Sequence, residues 1–184
     1  MGFFDKLTGT KRPAEGVVPR RLAEVTAAIL AVNRPTAPFA VYQADGTRAD
    51  LIAEWRIVDA RWYEVFAKAG MTKTFRVLMR LDESRHEVRA VDEEYSVQWR
   101  AGVPFLSFEM SKSRGQTHRV EFGQGWAFTE QGPFGEVYKY KFSTGELKPP
   151  LQKAVTESGW TWTGVAFGNY KNDRPGGDAP EAAV

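Results

Sequence analysis

The stretch that decides the fold runs from Thr74 to Ser143 and opens with TFRVLMRL (residues 74–81), DES (82–84) and RHEVRAV (85–91). Apolar residues recur at every second position in its segments. These positions are Phe75, Val77, Met79, Leu81, Tyr95, Val97, Trp99, Leu106, Phe108, Met110, Val120, Phe122, Tyr138, Tyr140 and Phe142. Because successive side chains of a β-strand point to opposite faces, each set lines one face of a sheet. The stretch therefore predicts a meander of strands with an apolar inner face.

Length and composition are typical of one globular domain. The chain has 184 residues, of which 42% are hydrophobic and 26% charged, with a formal net charge of +2. That charge is too small to indicate nucleic acid as a partner. There is no cysteine, so disulfides, a cysteine nucleophile and thiolate metal ligands are excluded. No apolar window approaches the roughly 20 residues of a membrane-spanning helix, and we expect a cytoplasmic protein.

The two ends differ in composition from the middle. Residues 1–17 are predicted to be a flexible or docking appendage with one amphipathic helical turn, which either packs on the domain or touches a membrane surface weakly. The apolar residues of that turn are Phe3, Phe4 and Leu7. Residues 18–168 form a single α+β domain in this interpretation, and residues 169–184 a disordered tail, since their small and polar side chains can bury little surface.

Two helices are predicted, one near each end of the domain. Residues 19–34 carry apolar positions at spacings of three and four, and residues 148–158 follow a capping-box pattern at 143–146. Residues 60–69 are either a helix capped by Asp59 or another strand.

Ala37–Gln43 and Leu51–Val58 flank the turn-forming pair Asp45-Gly46, which predicts an antiparallel hairpin. The predicted fold is α+β: a curved, mostly antiparallel sheet of about eight strands, open or barrel-like, with the two helices packed on it.

No motif indicates a catalytic centre, a metal site or a cofactor. Two histidines without cysteine do not predict a zinc site. His118 falls on the apolar face, where it is either a general base or a histidine with a structural hydrogen bond. The carboxylates of Asp92–Glu94 are either a pair that acts as acid and base or holds a divalent cation, or part of a solvated loop. The loop is the expectation, because consecutive strand residues point apart and cannot both face one reacting atom.

A basic surface is predicted on the polar face of the meander. Its candidate residues are Arg76, Arg80, Arg119, Lys139 and Lys141. Cross-strand pairing with interspersed glutamates explains the same residues without a ligand. Aromatic residues fall on the inner face, so nucleic acid is not expected to stack on this sheet.

Three functions remain open from the sequence. The first is a non-enzymatic cytoplasmic adaptor that recognises a protein partner. The second is a protein that binds an apolar, lipid-like small molecule in an aromatic-lined cavity between sheet and helices. The candidate ligand-binding residues are Trp160, Trp162, His118, Trp55 and Trp62. The third is an enzyme that uses His118.

Overall fold

The computed structural model describes residues 9–46, 48–59, 62–68, 70–108, 127–131, 137–141 and 144–165. The helices in these ranges are α1 (Leu22–Leu30), α2 (Tyr63–Lys68) and α3 (Thr144–Glu157). The strands are β1 (Phe39–Gln43), β2 (Leu51–Trp55), β3 (Lys73–Asp82), β4 (Glu87–Arg100), β5 (Val103–Phe108), β6 (Ala127–Gln131), β7 (Val137–Lys141) and β8 (Thr161–Gly164). None of these helices has the length and apolar character that crossing a bilayer requires.

The predicted α+β class with a curled antiparallel sheet is confirmed. Strands β1 to β5 are antiparallel neighbours in chain order, and β8 adds parallel to β4. The main sheet branches because β4 is 14 residues long. Glu87–Ala90 pair with β8, whereas Tyr95–Arg100 pair with β5.

A single sheet of about eight strands is not confirmed. Six of the described strands form the main sheet, and β6 and β7 pair with each other in a separate two-stranded sheet. The sequence pattern identifies strands but not their neighbours, because the alternation is the same for both sheets.

Several turns contain residues with positive φ, including Gly46 of the predicted Asp45-Gly46 pair. Gly46 has φ 76°, and Gly70 ends α2 with φ 62°. The β4–β5 turn holds Ala101 at φ 49° and Gly102 at φ 79°. Two central residues with positive φ match the twist of the flanking strands. Residues 63–68 form a helix, which decides between the two interpretations of that segment.

Helices α1 and α3 contribute to the apolar core on the inner face of the sheet. Val25 and Ile29 of α1 are fully buried, as are Leu151 and Val155 of α3. The inner-face strand residues in this core include Phe39, Val41, Leu51, Ala53, Phe75, Val77, Met79, Val88 and Ala90. Helix α3 begins at Thr144, four residues before the predicted start, so that Pro149 and Pro150 lie in its second turn.

The chain before α1 contacts the end of the domain. Lys11 and Trp162 exchange two backbone hydrogen bonds of 2.9 and 2.8 Å. The Trp160 indole donates to the carbonyl of Arg20 at 2.9 Å. Gly159 is required here, because a Cβ atom would lie 2.7 Å from the carbonyl oxygen of Val18. Part of the predicted appendage therefore pairs with β8. Residues 1–8 and the predicted tail 169–184 lie outside the described residues.

Candidate functional site

The acidic run Asp92–Glu94 lies within β4, so the prediction of a solvated loop was wrong. Strand β3 pairs with β4 through the whole run, with Val77 opposite Asp92 and Arg76 opposite Glu93. Both Asp92 and Glu93 are buried. Burial of carboxylates is tolerated because each meets a cation.

On the inner face, Asp92 is joined to α3. The Lys148 ammonium donates a hydrogen bond to Asp92 Oδ2, and both side chains are removed from solvent. Lys148 lies beside Leu147 and near Leu151, which enter the core from the same helix. This ion pair therefore fixes the start of α3 against the middle of the sheet.

On the outer face, a polar row crosses three strands. Glu54 of β2 stands opposite Arg76 of β3, and Arg76 opposite Glu93 of β4. Arg76 Nε donates to Glu93 Oε2 at 2.7 Å, and the Tyr95 hydroxyl donates to the same oxygen at 3.1 Å. Arg48, from the β1–β2 loop, donates to Glu93 Oε1. Glu93 therefore accepts from three side chains.

Two tyrosines flank this row and have raised pKa values. Burial, reinforced by the charge of Glu93, raises the pKa of Tyr95 to about 12. Burial, reinforced by the charge of Glu54 and a hydrogen bond to it, raises the pKa of Tyr42 to about 12. For Arg76 burial acts to lower the pKa, but the hydrogen bond to Glu93 and the nearby negative charges raise it overall. The row is therefore charge-compensated, with both tyrosines neutral near pH 7.

The polar row separates two apolar regions of the outer face. The first is a small cluster of Ala49, Leu78 and Val91, with Ala49 contributed by the β1–β2 loop. The loop that buries this cluster also carries Arg48, which is 53% exposed and reaches over to Glu93. This first region is thus covered by the chain itself.

The second apolar region contains a groove. Pairing of β2 with β3 ends at Glu54 and Arg76, and a groove of about 80 Å³ opens beyond that point. Its apolar lining residues are Val58 and Leu106 at the rim and three residues of the main core, Trp55, Ile57 and Phe75, which the groove reaches where the two strands separate. Its polar lining residues are Glu54, Thr74, Arg76 and Tyr95. Val58 is 61% exposed and Leu106 is 40% exposed, so the groove has an accessible apolar rim.

Thr74 is the unusual member of this lining. Thr74 is 4% exposed, and its hydroxyl has no hydrogen-bond partner among the described residues. Buried hydroxyls are normally paired, because an unpaired one loses its hydrogen bonds to water without compensation.

Strand β5 adds further exposed apolar surface. Val103 and Phe105 are exposed in addition to Leu106. Arg100 lies over the Phe105 ring at 5.0 Å from its centroid. Since neighbouring strand residues face opposite sides, Leu106 belongs to the groove side and Phe105 to the other side of the hairpin.

Among the described residues, the four tryptophans predicted to bind a ligand do not come together at one accessible site. Trp160 and Trp162 are fully buried in the same core as Leu151 and Val155. Trp55 is buried but lines the groove, and Trp62 is partly buried against the core. His118 lies outside the described residues. A ligand-binding role for these residues stays a prediction.

The predicted basic surface is described only in part. Arg76 pairs with Glu93, which is the cross-strand pairing that explains it without a ligand. Arg80 stands opposite Arg89 in the β3–β4 register. Arg119 lies outside the described residues, as do the side chains of Lys139 and Lys141, whose backbone forms part of β7.

Sequence reasoning missed the groove, and only Trp55 and Arg76 of its lining were among the candidate site residues. The seven lining residues that it missed are Glu54, Ile57, Val58, Thr74, Phe75, Tyr95 and Leu106. Val58 offered no signal, because the sequence does not show that the pairing of β2 ends before this residue. Thr74 offered none, because a threonine in a strand is ordinary.

Comparison with known proteins gives no relative. No family model, curated protein or solved structure matches this chain. Within the described residues, no three histidine or acidic side chains gather as they would around a metal ion.

Proposed function

We propose that this chain is a non-enzymatic cytoplasmic binding module that recognises a protein partner through the groove side of its outer sheet face. The exposed apolar rim formed by Val58 and Leu106 carries the proposal. Apolar residues surrounded by polar ones are typical of the centre of a protein interface. Arg76, Tyr95 and Glu54 supply such a polar border.

The size of the groove favours a protein over a whole small molecule. A volume of about 80 Å³ is well below the roughly 300 Å³ at which drug-sized ligand sites begin. It suits one inserted side chain, with the rest of the partner spread over the rim. The tryptophans predicted to line a larger cavity are core residues where they are described, so the small-ligand alternative has less support than a protein partner.

Binding rather than catalysis is proposed because the charged groups beside the groove are engaged with one another. Glu93 accepts from Arg48, Arg76 and Tyr95, and Glu54 accepts from Tyr42. A general base needs a carboxylate that can take a proton from a substrate. These carboxylates instead connect neighbouring strands and the β1–β2 loop, which suits a preformed docking surface.

Site-specific photocrosslinking tests the proposal. A benzophenone amino acid at Leu106 should trap a protein in the native host, whereas the same group at exposed Lys153 of α3 should not. The trapped protein is then purified and its affinity measured by calorimetry. Val58→Asp should weaken the affinity for this partner at least about tenfold. The reason is that an anchor contact contributes about 2 kcal/mol or more, and about 1.4 kcal/mol corresponds to a tenfold change in affinity.

The matched control is Val18→Asp, the same change at a valine that is exposed on another part of the domain. It should leave affinity unchanged. Equal weakening by both variants, or equal trapping from Leu106 and Lys153, would contradict the proposed surface.

A further inference from the structure

The groove combines an apolar interior with one buried polar atom. Trp55, Ile57 and Phe75 form apolar lining, and the Thr74 hydroxyl is buried without a partner among the described residues. An unpaired buried hydroxyl lowers stability, since the same space filled by a methyl group would not lose hydrogen bonds to water. A hydroxyl at this position is explained if a bound group supplies the missing hydrogen bond.

The volume limits what can enter. A groove of about 80 Å³ has room for a few water-sized groups. A branched aliphatic side chain such as that of leucine, isoleucine or valine has this size.

The charged residues of the lining further restrict which group can bind in the groove. Arg76 is held by Glu93, and Glu54 accepts from Tyr42, so the two charged groups of the lining already have partners. An ionic ligand would have to displace one of them and leave a charge uncompensated. A neutral group causes no such loss.

We propose that the groove is the anchor pocket for a branched aliphatic side chain of an extended partner peptide, whose adjoining peptide group hydrogen-bonds to the Thr74 hydroxyl. This rests on the proposed function and specifies its chemistry. The groove lies where the pairing of β2 with β3 ends at Glu54 and Arg76, and Thr74 stands opposite Tyr95 in the β3–β4 register.

The test uses a minimal peptide probe on the full chain. N-acetyl-leucine N-methylamide is titrated into ¹⁵N-labelled protein, with N-acetyl-alanine N-methylamide as the control probe that has the same peptide groups and no isobutyl group. The leucine probe should shift the amide resonances of Thr74, Tyr95 and Val58 with millimolar affinity, and the alanine probe should not.

The decisive variants are Thr74→Val and Thr74→Ser. Valine keeps the shape and removes the hydroxyl, so it should raise Tm and weaken the leucine probe about tenfold, the factor that one hydrogen bond supplies. Serine keeps the hydroxyl and should retain binding within about twofold. This opposite effect of Thr74→Val on stability and affinity is not expected of a merely structural threonine.

Equal binding of the leucine probe to wild type and Thr74→Val would overturn the assignment, as would equal shifts from both probes or no shift at all. Failure here is distinguishable from failure of the proposed function. If Leu106 traps a partner whose affinity ignores Thr74→Val, the module binds protein but this anchor is wrong. A further outcome is tight binding of isovaleramide that depends on Thr74, with no protein trapped from Leu106. It would mean that the groove binds a small amide, and it would overturn both the peptide anchor and the proposed protein-binding function.

Discussion

Lys148 in α3 and Asp92 in β4 form an ion pair inside the domain, although 56 residues separate them in the chain. Both residues are buried. Removing two charges from water is costly, and their attraction offsets that cost only while both are present. The stability of the fold is therefore sensitive to the loss of either residue.

Replacing one residue of this pair should destabilise the fold much more than replacing both. Lys148→Met or Asp92→Leu alone should lower the free energy of unfolding by about 3–5 kcal/mol, because each leaves a buried charge without its partner. The double variant should lose less than the worse single one, as urea unfolding would show. Additive losses would mean that the two groups act independently.

Glu93 should matter more than an exposed glutamate in a similar pair. Glu93→Gln weakens three charge-assisted contacts and should cost about 2 kcal/mol in urea unfolding. The control is Glu157→Gln, which removes the exposed pair with Lys153 and should cost less than about 0.5 kcal/mol. Similar losses of unfolding free energy in both variants would show that the buried contacts of Glu93 stabilise the fold no more than an exposed ion pair does.

Stability should fall at high pH. In the folded protein the pKa values of Tyr42 and Tyr95 are raised from the ordinary tyrosine value of 10.0 to about 12. A raised folded pKa means that the native state holds its proton more tightly than the unfolded chain does. The resulting stabilisation is complete below about pH 10 and is lost as pH rises through about 12. Urea unfolding between about pH 9 and 12 checks this. Tyr95→Phe should reduce the decline, and an unchanged decline would contradict it.

The β4–β5 turn should accept glycine at its first central position. Ala101 has φ 49°, which costs an alanine about 1 kcal/mol. Ala101→Gly should therefore raise the free energy of unfolding by up to about 0.5 kcal/mol, since glycine's flexibility in the unfolded chain offsets part of the gain. Gly102→Ala, at φ 79°, should destabilise. A fall in thermal stability for Ala101→Gly would argue against this turn geometry.

Deletion of residues 1–12 should leave a folded but weaker domain. It removes the two backbone hydrogen bonds between Lys11 and Trp162, which contribute about 1–3 kcal/mol together. Lys11→Ala is the control, because it keeps both bonds and changes only an exposed side chain. A deletion as stable as the control would restore the view of this segment as a detachable appendage.

Local patterns predicted much of the fold. Elements formed by residues close together in the chain can be predicted from short segments of sequence. Examples are the hairpin around Asp82–Ser84, the turn at Gly46 and helix α1. The parallel addition of β8 to β4 could not be predicted, because nothing in Thr161–Gly164 specifies which strand it pairs with.

The candidate site was less accessible to sequence reasoning than the fold. The run at Asp92 was predicted to be a loop, because the sequence did not show that Lys148 of α3 would form an ion pair with a buried Asp92. The groove arises where β2 and β3 stop pairing, and no single residue marks that point. Geometry of this kind comes from the relative placement of strands.

The contact between Arg20 and Trp160 has a consequence for biosynthesis, because 140 residues separate the two. At about 5–20 residues per second, the chain between them takes on the order of 10 s to emerge from the ribosome. During that time the segment around Lys11 has neither Trp162 nor β8 to pair with. We expect nascent chains that end before residue 160 to leave this segment open to chaperones, and the domain to close only once Trp160 and Trp162 have emerged.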